Sequence, residues 1–285
     1  MAYIKLYFGL FSPNHNVPKS LTIAGAKGVL GIILSLAVCM TGRAQFSTIA
    51  YDGFNYSTGS LAGDNGGTGW ATAWTNDYSS GASFNVIATG MTYSGLTTSG
   101  GSIAWGSGGN GISEDSRTLS LMDSGVVYIQ FLSQFGSSSS GGGTPNIRLY
   151  DSGALTGGFG SNGGSTMSIL NSLLQPASGG SSSSSASLTA LNLVVGRIDY
   201  ENDITMMWVN PDLSTFDYQN PAAPDATYTN LAPAFNTIAI YSRSPANLDE
   251  FTVMAEPAPE PSSSVLLGMS LILWMRPLCR HVMSS

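Results

Sequence analysis

Between residues 45 and 255 the apolar positions recur every second residue in short runs. They never fall at the three- and four-residue spacing of a capped amphipathic helix. The clearest run is 126–135, where Val127, Ile129 and Phe131 fall on one face and Gln130 and Gln134 on the other. Similar runs stand at 146–150, 191–200, 204–210, 237–242 and 251–254. The runs at 191–200 and 204–210 are separated by Glu201-Asn202-Asp203, a polar turn of hairpin length. Many short strands divided by Gly, Ser, Asn and Pro, without strand–helix alternation, predict an all-β chain folded as an antiparallel β-sandwich or jelly roll. Helices are expected to be minor or absent.

Two low-complexity stretches interrupt this region, 137–143 (SSSSGGG) and 178–187 (SGGSSSSSAS). Uncharged and without packing groups, both are expected as long surface loops. Neither flank holds enough strands to close a core alone, so one domain is expected over 45–255.

The two ends have a different pattern. Residues 28–40 (GVLGIILSLAVCM) form an apolar run after a weakly basic lead, and the small residues Gly42 and Ala44 follow it. This layout predicts a signal peptide over 1–44, cleaved between Ala44 and Gln45. Thirteen residues at helical rise cover only ~20 Å against a hydrocarbon core of ~30 Å, so secretion is expected rather than a retained anchor. At the other end a Pro-rich spacer, Glu256-Pro257-Ala258-Pro259-Glu260-Pro261, leads through three serines into the apolar run VLLGMSLILWM and then RPLCRH. Pro259-Glu260-Pro261, the apolar segment and the basic end with Arg276 and Arg280, in that order, resemble the bacterial PEP-CTERM sorting tail. The resemblance covers residues 256–285. It implies export across the inner membrane of a Gram-negative bacterium, transient anchoring by a hydrophobic sorting helix, and processing by an exosortase-type enzyme and signal peptidase. The final location would be the cell surface or extracellular matrix. The apolar run is short for a span, and Pro277, Leu278 and Cys279 dilute the basic cluster; a plain C-terminal anchor is the alternative.

Composition narrows the chemistry. Of 285 residues only 9% are charged, with 10 Lys+Arg against 17 Asp+Glu. All lysines, histidines and cysteines lie outside 45–275, which holds four arginines and all 17 acids, a net charge of −13. That excludes a Ser-His-Asp or Cys-His pair, His-ligated zinc and a Schiff-base lysine from this region, and the charge repels nucleic acid. What remains is carboxylate chemistry. A glucanase of the concanavalin A-like type carries Glu-x-Asp-x-x-Glu on a strand, but Glu201-Asn202-Asp203-Ile204-Thr205 ends in Met206. A non-catalytic protein is therefore expected, with a secreted glycoside hydrolase as the alternative. Gly106-Ser107-Gly108-Gly109-Asn110-Gly111 matches a dinucleotide loop only in spacing: no helix pattern opens after it.

Tyr51-Asp52-Gly53-Phe54, Gly66-Gly67-Thr68-Gly69-Trp70 with Trp74, the segment VVGRIDYENDITMMWVNP and the segment AIYSRSPANLDEFTV resemble laminin-G-like, concanavalin A-like modules. The resemblance spans most of 45–254 and implies two antiparallel sheets with first and last strands paired. Trp70, Trp74 and Trp105, in Gly- and Ser-rich surroundings, are candidates for stacking on sugar rings of a polysaccharide, with core packing as the competing reading; Trp208 alternates within a strand and is expected in the core. No organic cofactor is expected. A structural calcium, which related sandwiches often hold, would use Asp249 with Glu250, or Asp199 with Asp203.

Overall fold

The computed structural model describes residues 45–256, apart from 107–110, 137–144, 162, 164 and 177–182. The predicted leader and sorting tail, with Ala44, Pro259, Glu260, Pro261, Arg276 and Arg280, lie outside the described residues. So does the 137–143 serine–glycine stretch. Among the described residues there is no helix, and hence none long and apolar enough to cross a membrane.

Sixteen strands form two antiparallel sheets among the described residues. The first runs β14 (Ala226–Thr229), β13 (Ile204–Val209), β12 (Asn192–Asp199), β7 (Val126–Phe135), β16 (Ala246–Ala255), β5 (Ser102–Gly106), β4 (Ser83–Ile87) and β2 (Gly59–Ser60). Strand β1 (Ser47–Asp52) also pairs with β16. The second sheet runs β11 (Ser183–Ser187), β10 (Thr166–Leu170), β9 (Ala154–Gly160), β8 (Asn146–Asp151), β15 (Phe235–Ser242), β6 (Ile112–Met122) and β3 (Thr75–Ser80). First and last strands are paired, and β12 and β13 form the expected hairpin, its turn closed by Asp203 in the left-handed region at φ 53°.

The sheets share one core. Val127, Ile129 and Phe131 of β7 point into it, where they meet Ile147, Phe159 and Ile238 of the second sheet. Phe131 stacks on Phe251 at 5.6 Å with the rings 6° apart. Gly196 on β12 leaves room for the Phe159 ring, since a β-carbon there would come within 2.4 Å of it. The opposite face of β7 is covered as well. Gln130 is 5% exposed because the chain after β13 folds back over it, and Tyr218 donates its hydroxyl to Gln130 Oε1 at 2.7 Å. This second apolar cluster also holds Tyr128 and Trp208, whose indole donates to Ala222 O at 2.8 Å.

The 178–187 stretch is only partly the loop that its composition predicts. Its last five residues are β11, an edge strand whose Ser183 meets Ser168 Oγ to Oγ at 2.7 Å. Hydroxyls facing each other across a ladder supply pairing that apolar side chains would otherwise provide.

Candidate functional site

Two places gather chemistry. The first follows from how β16 is paired. Asn247 and Leu248 pair with β5, whereas Phe251 to Ala255 pair with β1, so two strands share one side of β16 end to end. The strand bulges between them, with Glu250 in the left-handed region at φ 52°. Asp249 and Glu250 are thereby 0% and 1% exposed and turned toward the chain at 91–99. Asp249 Oδ2 accepts Met91 N–H at 2.7 Å and Oδ1 accepts Glu250 N–H at 2.8 Å. Glu250 accepts Ser99 N–H on one oxygen and the Tyr51 hydroxyl on the other at 2.7 Å. Burial pushes the Asp249 carboxyl up to about 7, with the N–H groups of Met91 and Glu250 opposing and the charges of Glu250 and Asp52 adding. Neither carboxylate belongs to an ion pair among the described residues. Beside them Gly90 leaves a cradle: a β-carbon there would stand 2.8 Å from Gly100 O and 3.3 Å from both Asp249 Oδ2 and Gly101 O.

The other candidate pair is arranged differently. Asp199 accepts Asn202 N–H and Nδ2–H and pairs with Arg197 at 3.0 Å, while Asp203 is an exposed turn residue. Burial raises the Asp199 carboxyl, but the Asn202 hydrogen bonds and Arg197 outweigh it and leave it below its ordinary value. Glu201 is likewise exposed in the turn. No group of three or more His, Cys, Asp or Glu gathers as a metal site among the described residues.

The three tryptophans proposed for sugar stacking are placed by the core. Trp74 and Trp105 are 1% and 6% exposed, and Trp70 is half-buried against the same cluster. Their Gly- and Ser-rich flanks suggest loops, but buried polar groups hold two of the indoles. Trp74 donates to Asp52 Oδ2 at 2.9 Å, and Trp70 donates to Tyr51 O at 3.0 Å. Arg117 stands 5.2 Å from the Trp70 ring centroid and 5.9 Å from that of Trp74. As packed, neither Trp74 nor Trp105 offers a ring face to a ligand.

The second place is the outward face of the second sheet. Register puts Tyr78 of β3 beside Glu114 of β6, Glu114 beside Tyr241 of β15, and Tyr241 beside Asn146 of β8. In the next rows Ala239 separates Ser116 from Arg148, and Thr237 separates Thr118 from Tyr150. The small Ala239 lets long side chains meet across β15. Arg148 Nη1 donates to Glu114 Oε2 at 2.9 Å, the Tyr150 hydroxyl donates to Glu114 Oε1, and Arg148 Nε donates to Asn146 Oδ1 at 2.9 Å. The guanidinium lies 3.5 Å over the Tyr241 ring. Burial, and then the bond to Glu114, push the Tyr150 hydroxyl up to about 12. A cleft of ≈ 270 Å³ opens here, lined by Asp77, Tyr78, Glu114, Tyr150, Gly153 and Thr237. Tyr78 is 52% exposed and is the one aromatic among the strongly exposed large apolar side chains of the described residues.

None of these cleft residues is singled out by sequence motif. Part of the face was readable, because Asn146, Arg148 and Tyr150 alternate with Ile147 and Leu149, which are fully buried. The run TNDYSS of β3 has no such alternation, so nothing marked Tyr78.

No family model and no curated protein matches the chain. Among solved structures it is similar to a carbohydrate esterase, vb_24B_21, from Shiga toxin-encoding bacteriophage phi24B, at 10% identity and TM-score 0.42, over 75% of this chain and 100% of that one. It is also similar to the cellulose induced protein Cip1, at 12% identity and TM-score 0.41, over 63% of this chain and 90% of that one. Lectin I-B4 from Griffonia simplicifolia matches at 9% identity and TM-score 0.31, over 50% of this chain and 80% of that one. At these scores the likenesses carry no argument about what this chain binds or does.

Proposed function

We propose that this chain is an exported, non-catalytic surface or matrix protein of a Gram-negative bacterium. Its sandwich, of the concanavalin A-like jelly-roll kind, binds polysaccharide. The observation that carries the binding part is the cleft on the second sheet, where an exposed tyrosine ring stands beside fixed oxygen acceptors. Sugars are held by that combination: an aromatic face against the C–H side of the ring, with polar groups for the hydroxyls. Export rests on the two ends, the apolar 28–40 run before Ala44 and Gln45 and the three-part tail from Pro259 to Arg280. Signal peptidase and an exosortase-type enzyme are the processing partners in this reading.

A glycoside hydrolase needs a carboxylic acid free to donate a proton and a second carboxylate across the bond. Asp77 and Glu114 do line one cleft, but both Glu114 oxygens are engaged, by Arg148 and by Tyr150. This favours holding a glycan over cutting it. Intact-mass analysis of the protein recovered from its producing cells tests export: a chain starting at Gln45 and ending within the Pro-rich spacer or tail supports it. Retention of the first 44 residues overturns it.

Calcium at Asp249 and Glu250 belongs to the same reading as a structural ion. The donors around the Gly90 cradle are hard oxygens, Asp249 Oδ2 and the carbonyls of Gly100 and Gly101, with the buried Glu250 carboxylate as the next residue; neither acid has a cationic partner among the described residues, which suits that ion. Bound there, calcium would supply the missing counter-charge. The chain's own groups hold the 91–99 segment against the bulge of β16.

A further inference from the structure

We propose that the cleft on the second sheet selects an uncharged, hydroxyl-rich polysaccharide and turns away chains that carry uronates; this rests on the polysaccharide-binding reading above and names its ligand class. The polarity of what the cleft leaves free sets this class. Arg148, the cation bonded to Glu114, is not among the residues that line the cleft. Its Nη1 is held by Glu114 and its Nε by Asn146, its planar face is covered by Tyr241, and its side chain is 13% exposed. Arg243 donates to the Tyr241 hydroxyl at 2.6 Å and is not among the lining residues. Bidentate capture of a carboxylate requires an open guanidinium fork, and the cleft wall presents none.

The groups that remain are acceptors. Asp77 uses Oδ1 to receive the Thr75 hydroxyl at 3.1 Å, and its Oδ2 accepts no hydrogen bond among the described residues. Each Glu114 oxygen accepts one hydrogen and carries a second lone pair. Such a set takes hydroxyl hydrogens, and it repels a carboxylate both locally and through the net charge of −13 over residues 45–275. Tyr78 completes the site, since a stacking ring needs no charge on its ligand and stands in register with Glu114.

Affinity electrophoresis of the full-length chain, in gels cast with neutral β-glucan, neutral galactomannan, polygalacturonate or chitosan, tests this. The expected result is retardation by a neutral polymer, with affinity for polygalacturonate at least about tenfold weaker. Tyr78→Ala should weaken the neutral polymer roughly three- to tenfold. Asp77→Asn should narrow the gap to polygalacturonate, as should added salt. Both positions are exposed, so circular dichroism should be unchanged. Retardation by polygalacturonate or chitosan alone overturns the uncharged class and leaves polysaccharide binding standing. Neutral retardation untouched by either substitution overturns the cleft as its site, and no retardation by any polymer overturns both.

Discussion

Arg117 Nη1 of β6 lies 2.6 Å from Asp52 Oδ2 of β1, with both side chains almost wholly buried, and this ion pair joins the two sheets through the core. Asp52 also accepts Phe54 N–H, the Tyr56 hydroxyl and the Trp74 indole, while Arg117 donates to Thr72 O and Asn65 Oδ1. Every charge is thus paired and hydrogen-bonded, which is the condition under which burying it is tolerable. Asp52→Asn and Arg117→Met should each destabilise by about 3–5 kcal/mol, because each leaves the other charge uncompensated. Replacing both by apolar residues should cost less than either alone, as read by urea unfolding.

Gly196 predicts a smaller effect by another route. A β-carbon there would overlap the Phe159 ring, which is 1% exposed and cannot swing aside. Gly196→Ala should therefore cost about 1–3 kcal/mol by overpacking. Combining it with Phe159→Leu should return part of that loss in thermal unfolding, whereas independent sites would show additive losses.

Alkaline pH should act through the buried tyrosines. Burial pushes both the Tyr128 and the Tyr150 hydroxyl up to about 12 from an ordinary 10.0. A folded-state value above the unfolded one means that the stabilisation is fully present below pH 10.0 and lost as pH climbs toward about 12. Near-ultraviolet absorbance of tyrosinate should rise late and together with loss of structure. Ionisation of all tyrosines near their ordinary value in a folded chain would contradict this.

Calcium makes a separate prediction. At saturating concentration, about a hundred times its dissociation constant, it should stabilise the fold by about 2.7 kcal/mol over a chelator-treated sample, and Asp249→Asn should abolish the difference. Equal unfolding midpoints with calcium and with chelator would remove the ion from the account.

The long strands β7, β8, β12, β13 and β15 were legible because their core-facing positions are apolar and alternate. Strand β6 was not, for a definite reason: at its buried positions it carries Ser113, Asp115 and Arg117, so its pattern reads as a polar segment. Asp115 is compensated by Asn76 and Ser113, and Arg117 by Asp52, partners distant in sequence or hidden in the pleat. The same ion pair explains Trp74 and Trp70. Nothing near Trp74 shows that a carboxylate 22 residues earlier will take its indole hydrogen. The Asp249-Glu250 dipeptide was visible as chemistry, but its burial depends on two strands meeting end to end along β16, which only the topology shows.

The central claim, that this sandwich holds a polysaccharide without breaking it, is met most directly by one sample measured two ways. The native protein is incubated with the extracellular polysaccharide of its own producing cells, and bound sugar and newly formed reducing ends are quantified together. The account predicts saturable binding, weakened in Tyr78→Ala, with no reducing ends formed. Reducing ends that accumulate with time and disappear in Asp77→Asn or Glu114→Gln would contradict it and make the protein a hydrolase.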